Sequence, residues 1–286
     1  MSLTRPCTLK ISEIIKWNDQ LHTFFVSYPN FSSNFKLGQF AMIWVPGVDE
    51  FPLGISHIDP LGFTVELVGS GTANLFEKNV GDYIGVRGPF GNGFFIPPET
   101  EIFFVVTGGH GFAPLRPLVY ALLREDKPIF LFHGAKSENL LLYFQEFRSL
   151  AEEEKNLDYQ VATDDGSCGE HCFITKTFER VIREMKESNK IKSQPSVTIF
   201  GVGPELMLKT IYDFSLTQFT SPKIQMSLAD RYMKCGIGIC GSCNVDNGKL
   251  GIRLCKEGPV FNEAQLSQIS TFGRFGRDAK GQLFEF

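Results

Sequence analysis

Four of the chain's seven cysteines stand close together towards its C-terminal end. Cys235, Cys240 and Cys243 have the C-x4-C-x2-C spacing of plant-type 2Fe-2S sites, and Cys255 follows as a fourth thiolate. Three sulfurs can converge from one loop only if the backbone curls around the cluster. Gly236, Gly238 and Gly241 permit the positive φ and close approach this needs. N–H groups freed in such a curl can point at the sulfurs and stabilise the reduced, more negative cluster. The competing reading is a structural zinc site, which also takes four thiolates but usually presents two C-x2-C knuckles, and here there is one. Cys7, Cys168 and Cys172 are scattered, and an odd total with one tight group reads as metal ligands rather than disulfides. Cys168 and Cys172, which flank His171, read as reduced loop thiols, with a labile disulfide as the alternative.

Two glycine turns suit a nucleotide. Gly108, Gly109 and Gly111 follow an apolar run, and Ala113 and Pro114 then open an amphipathic stretch. A pyrophosphate approaches such a turn because side chains are absent and unpaired N–H groups face it. Gly203, Pro204 and Glu205 open a later helix after a second apolar run, at the same edge of the inferred sheet. A tight strand-to-helix turn also favours glycine for purely structural reasons. His110 reads as a packing residue, and no catalytic acid or base is assigned, because a hydride passes between two cofactors without one. Lys136 stands where a 2′-phosphate would bind, although solvent exposure is the commoner fate of a lysine, so NAD and NADP remain open.

Upstream, Pro52, Leu53, Gly54, Ile55 and Ser56, together with Gly69 to Thr72, form candidate flavin loops, with Gly71 and Thr72 as phosphate donors. Val65 and Glu66 are grouped with them as cofactor-binding positions. Without the rest of the chain both loops would read as ordinary barrel turns.

The elements that must position these residues fall into two rhythms. Short β-rich runs from Thr8 to Pro97, separated by Gly, Pro and Asn, predict a small antiparallel barrel. From Ile102 apolar runs alternate with amphipathic stretches, which predicts a parallel sheet with crossover helices. After Phe219 the periodicity gives way to a Gly- and Cys-rich segment too poor in apolar residues to hold itself together by burial alone. The expected domains are therefore a flavin-binding β-barrel over 1–98, an α/β nicotinamide domain over 99–219 and a cluster domain over 220–286.

The 286 residues, 43% hydrophobic, are enough for more than one core. A net charge of -4 offers no field for a nucleic-acid backbone. With no long apolar run and no signal peptide, neither a membrane span nor secretion is expected, and the cytoplasm is the default location.

The segments Gln39–Glu50, Gly88–Phe94 (GPFGNGF), Ala162–Ser167 and Arg231–Cys235, and the ending Phe272–Ala279, resemble the archaeal-type dihydroorotate dehydrogenase electron-transfer subunits. These belong to the ferredoxin-NADP reductase superfamily. The resemblance implies FAD in the barrel, NAD on the second domain and a 2Fe-2S cluster facing a separate FMN-containing catalytic subunit, in a heterotetramer serving pyrimidine biosynthesis. Electrons would pass from dihydroorotate to FMN, cluster, FAD and NAD. Relatives commonly carry Arg-Pro-x-Ser at the flavin loop and Cys-Gly-Pro beside the nicotinamide. Here Phe51 precedes Pro52, Gly54 takes the serine place and Val202 precedes Gly203, so weaker flavin binding is expected. The diaphorase-like subunits of sulfhydrogenases and sulfite reductases share the Gly88–Phe94 stretch and are the alternative, as is a cluster-bearing scaffold that has lost its flavin.

Overall fold

The structure, a computed structural model, describes residues 5–28, 35–188, 194–228, 231–247, 251–277 and 282–286. Asp278 and Ala279 of the C-terminal motif lie outside these residues.

The N-terminal unit comprises β1 (Cys7–Asn18), β2 (Leu21–Val26), β3 (Phe40–Val45), β4 (Asp49–Gly54), β5 (His57–Ile58), β6 (Leu61–Glu66), the short helix α1 (Ser70–Phe76) and β7 (Tyr83–Phe90). All pairings are antiparallel, in the order β4-β3-β7-β1-β2-β6-β5. The predicted barrel needs one refinement: its edge strands β4 and β5 do not pair with one another, so it is a curled, open sheet. Its inside is filled by Ile11, Phe24, Ile43, Phe63, Val65, Leu75 and Val86, all buried. The turn expected at Gly69–Thr72 is the start of α1, where Thr72 Oγ1 accepts from the Val68 and Gly69 N–H groups at 3.0 and 3.1 Å.

The second unit runs β8 (Ile102–Gly108), α2 (Phe112–Leu122), β9 (Ile129–Ala135), α3 (Phe144–Glu153), β10 (Leu157–Thr163), β11 (Glu170–His171), α4 (Ile174–Glu187), β12 (Val197–Val202), α5 (Glu205–Gln218) and β13 (Lys223–Ser227). Every residue of β8 is buried, as in a parallel strand covered on both faces. Phe103 and Val105 pack with α2 and α3, whereas Phe104 and Val106 pack with α4 and α5, so the strand's alternation divides two cores. The sheet order is β11-β10-β9-β8-β12-β13, closed at its edge by the antiparallel β16 (Val260–Asn262). The chain thus winds outwards in one direction from β8 and then in the other from β12. That reversal is a topological switch point, where ligands bind outside the C-terminal strand ends.

The parallel sheet continues past Phe219, since β13 pairs with β12 from Thr198↔Lys223 to Val202↔Ser227. The remaining C-terminal segment forms a two-stranded ribbon, β14 (Asn244–Val245) and β15 (Ile252–Arg253), then α6 (Leu254–Glu257), β16 and α7 (Glu263–Leu266). Its described residues form no core of their own. Met233, Val245, Leu254, Leu266 and Phe272 share one cluster with Leu208 and Ile211 of α5 and with Phe40, Met42 and Phe90 of the first sheet. The Gly88–Phe94 stretch is the joint between units: Asn92 Nδ2 donates to the Glu257 carbonyl at 2.6 Å, and Phe94 meets Phe200 edge-on with ring centroids 5.6 Å apart. At Gly91, with φ +75°, a Cβ would lie 2.5 Å from the Gly258 carbonyl oxygen, so only glycine fits. No helix among the described residues is long and apolar enough to cross a membrane.

Candidate functional site

Of the four expected ligand cysteines, two are brought into contact and the other two lie on the same loop. Cys243 and Cys255 are buried with their sulfurs 3.3 Å apart, while Cys240, exposed on the same loop as Cys235, has its sulfur 3.3 Å from Ser242 Oγ. Backbone N–H groups point at sulfur, as the curled loop requires: Gly238 to Cys255 at 3.1 Å, Ile239 to Cys235 at 3.3 Å and Cys255 to Cys243 at 3.5 Å. Gly236, Gly238 and Gly241 all have φ between +72° and +78°. Among the described residues no three such side chains form a group around a single ion, and the sulfur pair that meets directly is Cys243 with Cys255. A 2Fe-2S cluster needs two thiolates on each iron, and Cys243 with Cys255 would supply one such pair.

The loop lowers the pKa of two of the four thiols. The hydrogen bond shared with Cys255 holds the Cys243 thiol below its usual value, while the same contact and burial push the Cys255 thiol up. Burial opposes ionisation of Cys235, but the N–H groups of Cys240, Ile237 and Ile239 outweigh it and bring that thiol down to about 6. A cluster would replace the protons on these sulfurs.

The glycine turns meet at the switch point. Thr107 on β8 and Val202 on β12 are register partners, so Gly108–Gly111 and Gly203–Pro204 lie side by side. A Cβ on Gly111 would be 2.7 Å from the Val202 carbonyl oxygen, and one on Gly108 would be 2.9 Å from Met207 Sδ. Gly109, with φ +57° and nothing within 4 Å of its Cβ position, is the open face of the turn. Ala113 and Pro114 are buried in the first turn of α2. Glu205 is also buried, at 3% exposure, and its carboxylate is engaged by Arg231 and by the Gly273 N–H. Gly111→Ala should therefore weaken NADH binding and cost about 1–3 kcal/mol of stability through overpacking. Paired NADH titration and thermal melting check this, and an unchanged protein would show that the turn has room.

The flavin-side positions divide. Pro52, Leu53 and Gly54 lie on β4 and are partly exposed, opposite Met42, Ala41 and Phe40. Ile55, Ser56 and Val65 are buried, and Ser56 Oγ donates to the Gly62 carbonyl at 3.0 Å. The Phe51 ring packs on Gly71, where a Cβ would come within 2.8 Å of it. Gly69 has open space over its Cα and precedes α1, so backbone N–H groups there can meet a phosphate, although Phe51 supplies no charge.

Two contacts join the candidate flavin-side and nicotinamide-side residues directly. A Cβ on Gly54 would lie 2.9 Å from Pro114 Cβ, and the His110 ring bonds the Glu66 carboxylate, which it holds below the usual carboxylate range. Lys136 is exposed, and its charge acts on Glu66 and Asp164.

Sequence reasoning missed the charged residues that seat the cysteine loop. Arg87 and Arg231 are buried or nearly so and paired with Glu50 and Glu205. A signal existed for Arg87, which interrupts an apolar strand between Val86 and Gly88, because a charge in such a run needs a partner.

Comparison with known proteins places both fold and chain. A structure of an NADH-dependent reduced ferredoxin-NADP oxidoreductase superposes with a TM-score of 0.75 at 23% identity, covering 93% of this chain and 92% of that one. A ferredoxin NADP+ reductase from Neisseria gonorrhoeae gives a TM-score of 0.61 at 19% identity, over 74% and 91% of the two chains. The fold is that of the ferredoxin-NADP reductases, extended by a cysteine loop. The model of the oxidoreductase NAD-binding domain matches residues 105–213, and that of the iron-sulfur cluster binding domain of dihydroorotate dehydrogenase B matches 230–267. The probable dihydroorotate dehydrogenase B (NAD(+)) electron transfer subunit of Methanocaldococcus jannaschii is 37% identical over 280 residues, 98% of each chain. That of Methanocella arvoryzae is 33% identical over 278 residues, 97% of this chain and 98% of its own. The chain belongs to the family of dihydroorotate dehydrogenase B (NAD(+)) electron transfer subunits.

Proposed function

We propose that this chain carries electrons from a catalytic partner that oxidises dihydroorotate to NAD, using a 2Fe-2S cluster on Cys235, Cys240, Cys243 and Cys255 and an FAD on the first sheet. The observation that carries the reading is the cysteine loop itself, in which backbone N–H groups point at the sulfurs of Cys235, Cys243 and Cys255 and which packs on the sheet that holds the flavin-strand residues. When bound, the flavin supplies two-electron exchange with nicotinamide and one-electron exchange with the cluster. The chain's own residues do the positioning. Gly109 leaves the switch point open to pyrophosphate, Gly54 lets β4 approach Pro114, and the sulfur-directed N–H groups stabilise negative charge on the loop.

The partner is proposed to be an FMN-containing dihydroorotate dehydrogenase subunit, joined to this one in a heterotetramer. Removing the C5 proton of dihydroorotate while hydride leaves C6 needs a base and a flavin at an orotate pocket, which the partner supplies. The cluster segment, 226–261, forms part of the contact, and Ile239 at its tip is 79% exposed. Alone, the chain should reduce artificial acceptors with NADH. It should form no NADH from dihydroorotate until the catalytic subunit is added. A complex with an intact cluster in which NAD reduction never depends on dihydroorotate would replace this reading with the sulfur or hydrogen one.

A further inference from the structure

The cysteine loop rests on the first sheet through one buried charge. Arg87 on β7 is 6% exposed and grips Glu50 on β4 with two bonds of 2.7 Å, Nε to Oε1 and Nη2 to Oε2. The same Nη2 donates to the Cys235 carbonyl at 3.0 Å. Beside it the loop backbone is pressed against the sheet, because Gly236 has φ +72° and a Cβ there would lie 2.8 Å from Met42 Cγ. Met42 is the register partner of both Arg87 on β7 and Pro52 on β4. One residue of β3 therefore lies between the loop and the strand that carries Pro52, Leu53 and Gly54.

We propose that the Arg87–Glu50 pair is a charge clamp that fixes the first cluster ligand against the flavin strand and sets the cluster's reduction potential. This rests on the proposed cluster and flavin. A buried guanidinium is held where it is because its charge is matched and its donors are used. The matched pair is close to neutral towards the cluster, so the two partners act on it with opposite sign. Each reduction adds one negative charge beside Cys235, which the guanidinium favours and the carboxylate opposes. Arg87 is a positioning residue, since it reaches the cluster only through the Cys235 peptide.

The opposite signs separate this role from a merely structural one. The test compares Arg87→Gln and Glu50→Gln with the unaltered protein by dye-mediated redox titration of the cluster's visible and electron-spin signals, alongside iron content. Glu50→Gln removes the negative charge and should move the midpoint up; Arg87→Gln removes the positive charge and should move it down. The two should differ by at least about 59 mV, a tenfold change in the reduced-to-oxidised ratio of a one-electron couple. If Arg87→Gln fails to fold, Arg87→Lys keeps the charge without the fork. It should then hold the midpoint near the unaltered value while broadening the spin signal, and a large shift in Arg87→Lys would overturn the clamp. Equal midpoints in both Gln variants, or shifts of one sign, would also overturn it. The titration needs neither partner nor dihydroorotate, so a wrong electron donor leaves its result untouched. An unaltered protein that binds no iron would sink both readings.

Discussion

Cys243→Ser should abolish the cluster: iron and acid-labile sulfide fall to background, the visible bands disappear, and dihydroorotate-driven NAD reduction is lost with them. The reason is chemical before it is structural. The Cys243 thiol is lowered by its neighbour Cys255, 3.3 Å away, whereas a serine hydroxyl at this position stays protonated and offers iron a poor ligand. The effect extends beyond the metal. The segment's apolar residues are shared with α5 and the first sheet, so without a cluster it loses its internal cross-link and its backbone should become protease-sensitive. Cys168→Ser serves as the control, because Cys168 lies in the loop after β10, where its N–H and carbonyl both bond Thr163 Oγ1. It should leave iron and spectrum unchanged. Stoichiometric zinc without iron after anaerobic purification would overturn the assignment.

How much of this was legible in the sequence follows the range of the interactions involved. The cysteine loop could be read because its ligand spacing and glycines are local, and the loop's positive φ values fall on those glycines. The glycine turn after β8 was legible for the same reason, and so was the alternation of strands and helices. Long-range pairings left weaker marks. Lys223–Ser227 is a five-residue strand in a Gly-poor connection, and nothing local says that it extends the parallel sheet. Polar side chains were harder still, since Ser56 and Thr72 resemble cofactor donors in sequence. Their hydroxyls bond the Gly62 carbonyl and the Val68 and Gly69 N–H groups. The departure at Phe51 was visible as a missing charge, but the place of its ring, on Gly71, depends on how β4 and α1 face one another.

Glu205 tests the boundary between a cofactor residue and a structural one. In sequence it opens a helix after a glycine turn, the place of an ordinary nucleotide contact. In the fold its two carboxylate oxygens are bound by the guanidinium of Arg231, and one of them also accepts the Gly273 N–H at 2.8 Å. Arg231 side-chain exposure is 9%, and that residue leads into Met233 and the first cluster ligand. The pair ties the nicotinamide helix α5 to the cysteine segment. Removing one partner leaves the other charge buried without compensation, so Glu205→Ala and Arg231→Ala should each cost about 3–5 kcal/mol. The double change Glu205→Leu with Arg231→Met removes both charges and replaces them with apolar volume. It should recover most of that loss. Chemical denaturation of the four proteins measures the stabilities, and NADH titration of the folded Glu205→Gln variant measures any cofactor role. If Glu205 is the tether described here, Glu205→Gln lowers stability and iron retention while the NADH Kd stays within about twofold, a change of some 0.4 kcal/mol. A Kd raised tenfold or more in a protein of unchanged stability would instead make Glu205 a nucleotide ligand, and its contact with Arg231 would then be a resting arrangement of the empty turn.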